Sequence, residues 1–187
     1  MKFMLNDELR EMFRLQEALN IEYKGVEWDD VFKIGQIKAA LMTEVGEFLN
    51  EVTSDWKIWV KGTKFDKEKA VFEFIDVVHF MLMASLFTES DETLAEATCM
   101  DSPLYMMEDK YDQFFLHFNG FLSALDRRDI VGQIFHIKAT IEVAAGILNM
   151  EPGEMFTAYK LKNELNLERA RGGINYDRSN ERELKLD

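Results

Sequence analysis

Two groups of carboxylates in the sequence have the spacing of one helix face. In ALMTEVGEFLNEV, the glutamates Glu44, Glu47 and Glu51 stand at i, i+3 and i+7, which places them within about 60° of one another on a helix. In FEFIDVVHF, Glu73 and Asp76 are three residues apart inside an almost wholly apolar segment. Carboxylates placed in this way repel one another and lose hydration, unless they are protonated, paired or bound to a cation.

A cleft lined by oxygen ligands from two facing helices would suit a hard cation. The two acidic groups therefore predict a site for Mg²⁺, or for Mn²⁺, rather than for zinc. Two alternatives stay open: buried salt bridges from Glu73 and Asp76 to a basic residue of a neighbouring helix, and an acidic solvent face on the first segment. His79 follows three residues after Asp76 and either extends the polar row as a hydrogen-bonding partner or is a core histidine. His117 and His136 have no such neighbours and are predicted to be structural.

A strip of hydrogen-bond donors lies towards the C-terminus, on one side of a helix. Its members stand at i, i+3, i+4, i+7 and i+10, and they are Tyr159, Lys162, Asn163, Asn166 and Arg169. Such a strip offers donors to phosphate oxygens, although a solvated face whose basic residues favour the helix dipole is the alternative. Four carboxylates and a nucleoside triphosphate each carry about four negative charges, so their complex would need two or three divalent cations and basic side chains.

Aromatic and amide side chains add a possible base pocket. Trp56 and Trp59 follow the first acidic group, and Trp28 stands in a predicted loop. A tryptophan can stack on a base, although aromatic residues of an α-helical bundle usually belong to the core. Gln16 and Asn20 are one helical turn apart and could pair with a pyrimidine edge.

The elements that must position these residues are helices. Apolar residues recur at helical spacing along the chain, and no stretch alternates for long enough to predict a strand. The sequence predicts an all-α helical bundle of six helices, at about residues 6–22, 31–59, 66–89, 103–125, from DRRD to 149, and 151–170. Asp29 or Asp30 is the predicted N-cap of the second helix, Ser102 and Pro103 begin the fourth, and Gly172 ends the sixth.

Composition limits the class of protein. The chain has 187 residues, 47% of them hydrophobic and 30% charged, which predicts a single soluble domain over 1–187 with a mobile tail at about 171–187. Its net charge of -13 opposes binding to nucleic acid or to an anionic membrane. The longest uncharged apolar run, 77–88, is shorter than the ~20 residues of a membrane span. A lone Cys99 and no readable secretory signal predict a cytoplasmic protein.

Four motifs, taken together, resemble the all-α NTP pyrophosphatases (MazG-like), and specifically their dimeric dUTPase branch. RLQEALNIEYKGVEW is similar to the family's Gln-x-x-(x)-Leu-Asn segment with its tryptophan, and MTEVGEFLNEVTSDWKIW to its Glu-x-x-Glu helix with paired tryptophans. FEFIDVVHFML is similar to its Glu-x-x-Asp helix, and YKLKNELNLERARGG to its Tyr-x-x-Lys-Asn-x-x-Asn-x-x-Arg helix. The final motif departs from the family pattern, because Ala170 replaces the glutamine after Arg169 and Tyr176 comes two residues late.

The resemblance implies a homodimeric enzyme that hydrolyses a deoxynucleoside triphosphate between the α- and β-phosphates. The substrate would be dUTP. The alternative is an enzyme that prefers dCTP or accepts both dCTP and dUTP. The residues that would hold two or three Mg²⁺ ions are Glu44, Glu47, Glu73 and Asp76, and the catalytic pair would be Glu47, which orients or deprotonates the attacking water, and Glu44. The phosphate-binding residues would be Lys162, Asn166, Arg169 and Tyr159. The base-binding residues would be Gln16, Asn20, Trp59 and His79.

Two other classes of protein compete with this interpretation. A ferritin-like di-iron bundle would need Glu-x-x-His pairs, and the sequence contains none. A noncatalytic module could use its acidic face to bind a basic partner, and it would show no metal-dependent stabilisation.

Overall fold

A computed structural model of the chain describes residues 6–23, 33–52, 56, 59, 65–88, 109–172 and 185. Within these ranges the chain forms six α-helices and no strand, which confirms the predicted all-α helical bundle. The helices are α1 (Asn6–Tyr23), α2 (Ile34–Glu51), α3 (Lys67–Thr88), α4 (Lys110–Arg127), α5 (Ile130–Leu148) and α6 (Pro152–Gly172).

Helix α2 is shorter than the predicted 31–59. It follows Lys33, whose extended backbone forms the N-cap and whose N–H donates to the Gln36 side chain at 2.9 Å. It ends at Glu51, with Val52 as the C-cap, so the tryptophans lie beyond the helix. The side chain that caps the start of α2 is thus the amide of Gln36, three residues after Lys33, and not an aspartate. The predicted N-caps at 29 and 30 lie outside the described residues.

Helix α4 begins at Lys110 rather than near 103. The Asp109 carboxylate accepts hydrogen bonds from the backbone N–H groups of Tyr111 (2.7 Å) and Asp112 (2.9 Å), which is the geometry of an N-cap. A capped aspartate with extended backbone angles cannot lie inside a longer helix. The predicted start at 102–103 lies outside the described residues.

The predicted break at DRRD is confirmed. Arg128 adopts the left-handed conformation with φ 52°, and the Asp129 side chain then accepts from the N–H of Gly132 at 3.0 Å to start α5. Asn149 ends α5 in the same left-handed conformation, and α6 ends at Gly172 as predicted. The tail beyond 172 lies outside the described residues except for 185, so its mobility and the single-domain organisation stay predictions.

Helix α3 is the centre of the bundle and contacts α1, α2, α4, α5 and α6. Its residues Phe74, Ile75 and Val78 are completely buried. The ring of Phe74 lies 5.2 Å from Phe48 of α2 and 6.4 Å from Phe114 of α4. Each such buried phenylalanine contributes roughly 1.5–3 kcal/mol, and these contacts fix the facing surfaces of α2 and α3.

Helices α4 and α5 pack closely through two histidines. The Nδ1 atoms of His117 and His136 are 3.3 Å apart, and Gly120 provides the room because a Cβ at this position would overlap the His136 ring. Burial, and to a smaller extent the neighbouring His136, together lower the pKa of His117 to about 4. The predicted structural role of the two histidines agrees with this position in the helix contact.

Helices α3 and α5 are long and apolar enough to cross a membrane by length and composition alone. About two-thirds of the most apolar window of each, 67% in α3 and 61% in α5, is buried inside the bundle. The core helix of a soluble protein has the same properties, so these two helices are weak evidence for a membrane span.

Candidate active site

The two acidic helices face each other. Glu44 and Glu47 of α2 and Glu73 of α3 each place a carboxylate oxygen within 4.8 Å of the others. Glu47 is exposed, whereas Glu44 and Glu73 are half-buried. We call these three residues the acidic cluster. The phenylalanine contact between α2 and α3 explains the arrangement, since it turns the adjoining acidic edges of both helices towards each other.

Burial and the charges of neighbouring carboxylates both raise the pKa of the half-buried members of this group. Burial, and to a smaller extent the neighbouring carboxylates, together raise the pKa of Glu44 to about 7. Those neighbours are, in order of effect, Asp76, Glu47 and Glu73. Burial and the charge of Asp76 also raise the pKa of Glu73. A divalent cation between these oxygens would remove the repulsion.

Asp76, the fourth predicted metal ligand, forms a salt bridge instead of joining the acidic cluster. One of its oxygens lies 2.7 Å from the Lys162 ammonium of α6, and the two side chains are only 21% and 11% exposed. Burial raises the pKa of Asp76 although the ammonium acts to lower it. The buried salt bridge considered as an alternative therefore applies to Asp76, whereas Glu73 faces the glutamates of α2.

Glu51 forms an ion pair and is not among the three converging glutamates. Its carboxylate lies 2.6 Å from the ammonium of Lys69 on α3. Lys69 was not among the residues predicted to belong to the site. The signal was present, because Lys69 precedes Glu73 by four residues and so lies on the same face of α3.

The side chains present fit a magnesium site. All the converging donor atoms are carboxylate oxygens, and the described residues add no histidine or cysteine to the group. Oxygens around one octahedral Mg²⁺ lie up to about 4.2 Å apart, so the observed separations of up to 4.8 Å require only small side-chain rotations. Asp76 would complete the set once released from its salt bridge.

The donor strip of α6 packs against other helices rather than facing solvent. The buried Asn163 donates to the carbonyl of Leu15 on α1 at 3.4 Å. The half-buried Arg169 donates to Asn166 Oδ1 at 2.9 Å, and its charge acts to lower the pKa of Asp76. The strip therefore borders the acidic cluster, and the alternative of a solvated face does not describe it.

Tyr159 is completely buried and holds α6 against α1 and α3. Its hydroxyl donates to the carbonyl of Met12 at 3.1 Å and lies 3.2 Å from Gln16 Oε1. Its ring stacks on His79 at 4.5 Å. Burial raises the pKa of Tyr159 well above its ordinary value, so the hydroxyl stays protonated. The geometry gives Tyr159 a positioning role and offers no support for its predicted contact with phosphate.

Three of the four predicted base-binding residues form one hydrogen-bonded chain. His79 Nδ1 lies 2.6 Å from Gln16 Oε1, and Gln16 Nε2 donates to Asn20 Oδ1 at 2.8 Å. An amide oxygen only accepts, so His79 carries its proton on Nδ1 and leaves a lone pair on Nε2. Burial, and to a smaller extent the charge of Lys162, together lower the pKa of His79 to about 3. His79 is thus a neutral, buried partner of Gln16.

A family model described as dUTPase matches residues 8–174, a range that includes the acidic cluster, the α6 strip and the Gln16 chain. The chain belongs to the dUTPase family. Neither a curated protein nor a solved structure matches it. Membership makes the chain a hydrolase of nucleoside triphosphates, a dUTP diphosphatase, rather than a noncatalytic module, and the acidic cluster is a candidate for the divalent metal that dUTPases typically need.

Trp59, the fourth predicted base-binding residue, is not part of the hydrogen-bonded chain of His79, Gln16 and Asn20. It is 71% exposed, and its ring meets that of Trp56 edge-on at 5.9 Å. The indole N–H of Trp56 donates to the carbonyl of Leu49 at 3.0 Å, which anchors the pair to α2. Stacking of Trp59 on a base stays a prediction.

Proposed function

We propose that this dUTPase-family enzyme hydrolyses dUTP to dUMP and pyrophosphate by attack of water on the α-phosphate. In this proposal Mg²⁺ is held by Glu44, Glu47, Glu73 and Asp76. The observation that carries it is the convergence of three carboxylates within 4.8 Å, beside a fourth, in a chain that matches the dUTPase family over residues 8–174.

The carboxylates of the acidic cluster take different roles in this proposal because they differ in exposure to solvent. Bound Mg²⁺, as two or three ions, would make the attacking water more acidic and neutralise charge on the phosphate oxygens. Glu47 is the exposed member of the acidic cluster and is therefore the one that substrate water reaches. We assign to it the orientation of this water and the acceptance of its proton. The half-buried Glu44 and Glu73 serve as ligands beside it.

The α6 strip supplies positive charge to the triphosphate. Arg169 and Lys162 are seven residues apart, hence on one side of α6, and both act electrostatically on Asp76. Charge-assisted hydrogen bonds from these groups, with the amide of Asn166, would bind phosphate oxygens next to the metal ligands. Tyr159 would keep α6 in register with α1 through its bond to Met12.

The hydrogen-bonded chain of amides would form one wall of the base pocket. His79 fixes the oxygen of Gln16, and Gln16 in turn holds the oxygen of Asn20. Asn20 is half-buried at the edge of this chain and would meet the pyrimidine. The exposed ring of Trp59 would stack on the base. Uracil and cytosine could both contact these amide groups. The assay of pyrophosphate release therefore decides between dUTP and dCTP as the substrate.

We further propose that the enzyme is a homodimer in the cytoplasm. The support for a homodimer is the resemblance of the four sequence motifs to the dimeric dUTPase branch. The lone Cys99 suits a reducing compartment, and the net charge of -13 opposes binding to nucleic acid or to an anionic membrane.

Pyrophosphate release from dUTP, dCTP, dTTP, dATP, dGTP and UTP, with and without Mg²⁺, tests the activity. We expect Mg²⁺-dependent release from dUTP, lost by at least about 100-fold in a folded Glu47→Gln variant and kept in Glu164→Gln, an exposed carboxylate of α6. Strong turnover of dCTP would assign the enzyme to the alternative substrate. Release from no nucleotide, or full activity of Glu47→Gln, would refute the proposal.

A further inference from the structure

We propose that Lys162 is an exchangeable counter-ion: it neutralises Asp76 while the site holds no metal, and it must leave Asp76 before that carboxylate can bind a divalent cation. This inference rests on the proposed metal site. It gives Lys162 a second task, which couples the arrival of metal to the binding of phosphate.

The salt bridge occupies an oxygen that the metal would need. The ammonium of Lys162 lies 2.7 Å from Asp76 Oδ2, and both side chains are largely removed from water. The carboxylate that is paired is also the one absent from the converging oxygens of Glu44, Glu47 and Glu73. An ammonium has three donors and no acceptor, so it and a metal ion compete for the same lone pairs.

The positive charge of Lys162 acts on the acidic cluster as well as on its direct partner. It acts to lower the pKa of Glu44 and of Glu73. Lys162 therefore partly balances the charge of the whole group. A divalent cation placed among the same oxygens would meet this ammonium as a like charge only a few ångströms away.

A displaced Lys162 has a natural new partner. It shares one side of α6 with Arg169, and the flexible four-carbon stem of a lysine lets the ammonium turn away while α6 stays anchored by Tyr159. A triphosphate bound to the metal would then offer it oxygens that replace Asp76. Coupling of this kind is reciprocal, so nucleotide should strengthen metal binding as much as metal strengthens nucleotide binding.

Calorimetric titration of Mg²⁺ without nucleotide tests the exchange in the wild type, in Lys162→Met and in the control Lys160→Met. Lys160 is an exposed residue of the same helix whose ammonium lies over the Phe156 ring. We expect Lys162→Met to bind Mg²⁺ about tenfold more tightly than the wild type, because the competing charge is gone. The same variant should bind a nonhydrolysable dUTP analogue more weakly. Lys160→Met should change neither affinity.

Unchanged or weaker Mg²⁺ binding by a folded Lys162→Met variant would overturn the proposal. If Lys162→Met does not fold, nuclear magnetic resonance of ¹⁵N-labelled lysine side chains in the wild type tests the same exchange. Addition of Mg²⁺ alone should move the Lys162 Nζ signal, assigned by its loss in Lys162→Arg, towards the position of a solvated lysine. A Lys162 Nζ signal whose position does not change at saturating Mg²⁺ would contradict the exchange.

These measurements separate this inference from the proposed activity. Both are made without hydrolysis, so an effect of Lys162 on Mg²⁺ binding in a protein that releases no pyrophosphate would refute only the dUTP reaction. Normal hydrolysis of dUTP together with Mg²⁺ binding that does not respond to Lys162 would refute only the exchange.

Discussion

Replacing Glu44 by glutamine should stabilise the metal-free protein at pH 8. Glutamine has nearly the shape of the protonated side chain and carries no charge. In the folded protein the pKa of Glu44 rises from the ordinary 4.5 to about 7, chiefly because of burial and then because of the surrounding carboxylates. Such a shift corresponds to about 3 kcal/mol when the group is fully ionised. Glu44 is only half-buried, and solvent screening reduces the expected gain to about 1–2 kcal/mol.

The direction of the pH dependence follows from proton binding. Between pH 4.5 and about 7 the folded protein holds the Glu44 proton more firmly than the unfolded chain does. The free energy of unfolding of the wild type should therefore fall as the pH rises through this window and stay lowered above it. Glu44→Gln lacks this contribution, so the two proteins should differ little near pH 4.5 and by about 1–2 kcal/mol at pH 8.

Urea unfolding in EDTA at pH 4.5, 6 and 8 measures this difference. Glu164→Gln is the control, since an exposed carboxylate of α6 should change stability by less than about 0.5 kcal/mol at any pH. Saturating Mg²⁺ should reverse the order, because the wild type keeps the ligand and gains more from binding. A Glu44→Gln variant that is less stable than the wild type at pH 8 in EDTA, or equally shifted at all three pH values, would refute the argument that burial and neighbouring charges disfavour the ionised Glu44.

Three further predictions test other parts of the structure. Gly120→Ala should destabilise the protein by about 1–3 kcal/mol in urea unfolding, because its Cβ would overlap the His136 ring. The control Gly146→Ala, with open space around it, should stabilise the protein by about 0.5–1 kcal/mol. Equal effects of the two substitutions on stability would contradict the close contact of α4 with α5. Tyr159→Phe should lose about 1–2 kcal/mol of stability with little change in KM for dUTP, and a large rise in KM would restore its phosphate role. Arg169→Ala should weaken binding of a dUTP analogue far more than that of deoxyuridine in calorimetry, and equal losses would contradict its phosphate assignment.

The sequence allowed the facing of α2 and α3 to be predicted, since the acidic edges adjoin apolar stripes that must be buried. Helical spacing places Glu44 and Glu47 on one face without any knowledge of the partner helix. The almost wholly apolar sequence of α3 is likewise typical of a helix that is buried on most sides. These features depend on local periodicity, which a single chain displays directly.

The partner of each polar residue could not be read in the same way. Asp76 and Lys162 are 86 positions apart in the chain, and their salt bridge depends on how α6 crosses α3. The burial of Tyr159 has the same cause, because its spacing fits the donor strip while its depth is set by the packing of α6 on α1. Ends of helices were missed where the cap came from an unexpected residue, as at Lys33 and Asp109.

Hydrolysis of dUTP in water enriched in ¹⁸O, followed by mass spectrometry of both products, tests the central claim most directly. Attack of water on the α-phosphate at the acidic cluster predicts one labelled oxygen in dUMP and none in pyrophosphate. Label in pyrophosphate, or formation of dUDP and phosphate, would contradict the account of how these carboxylates act.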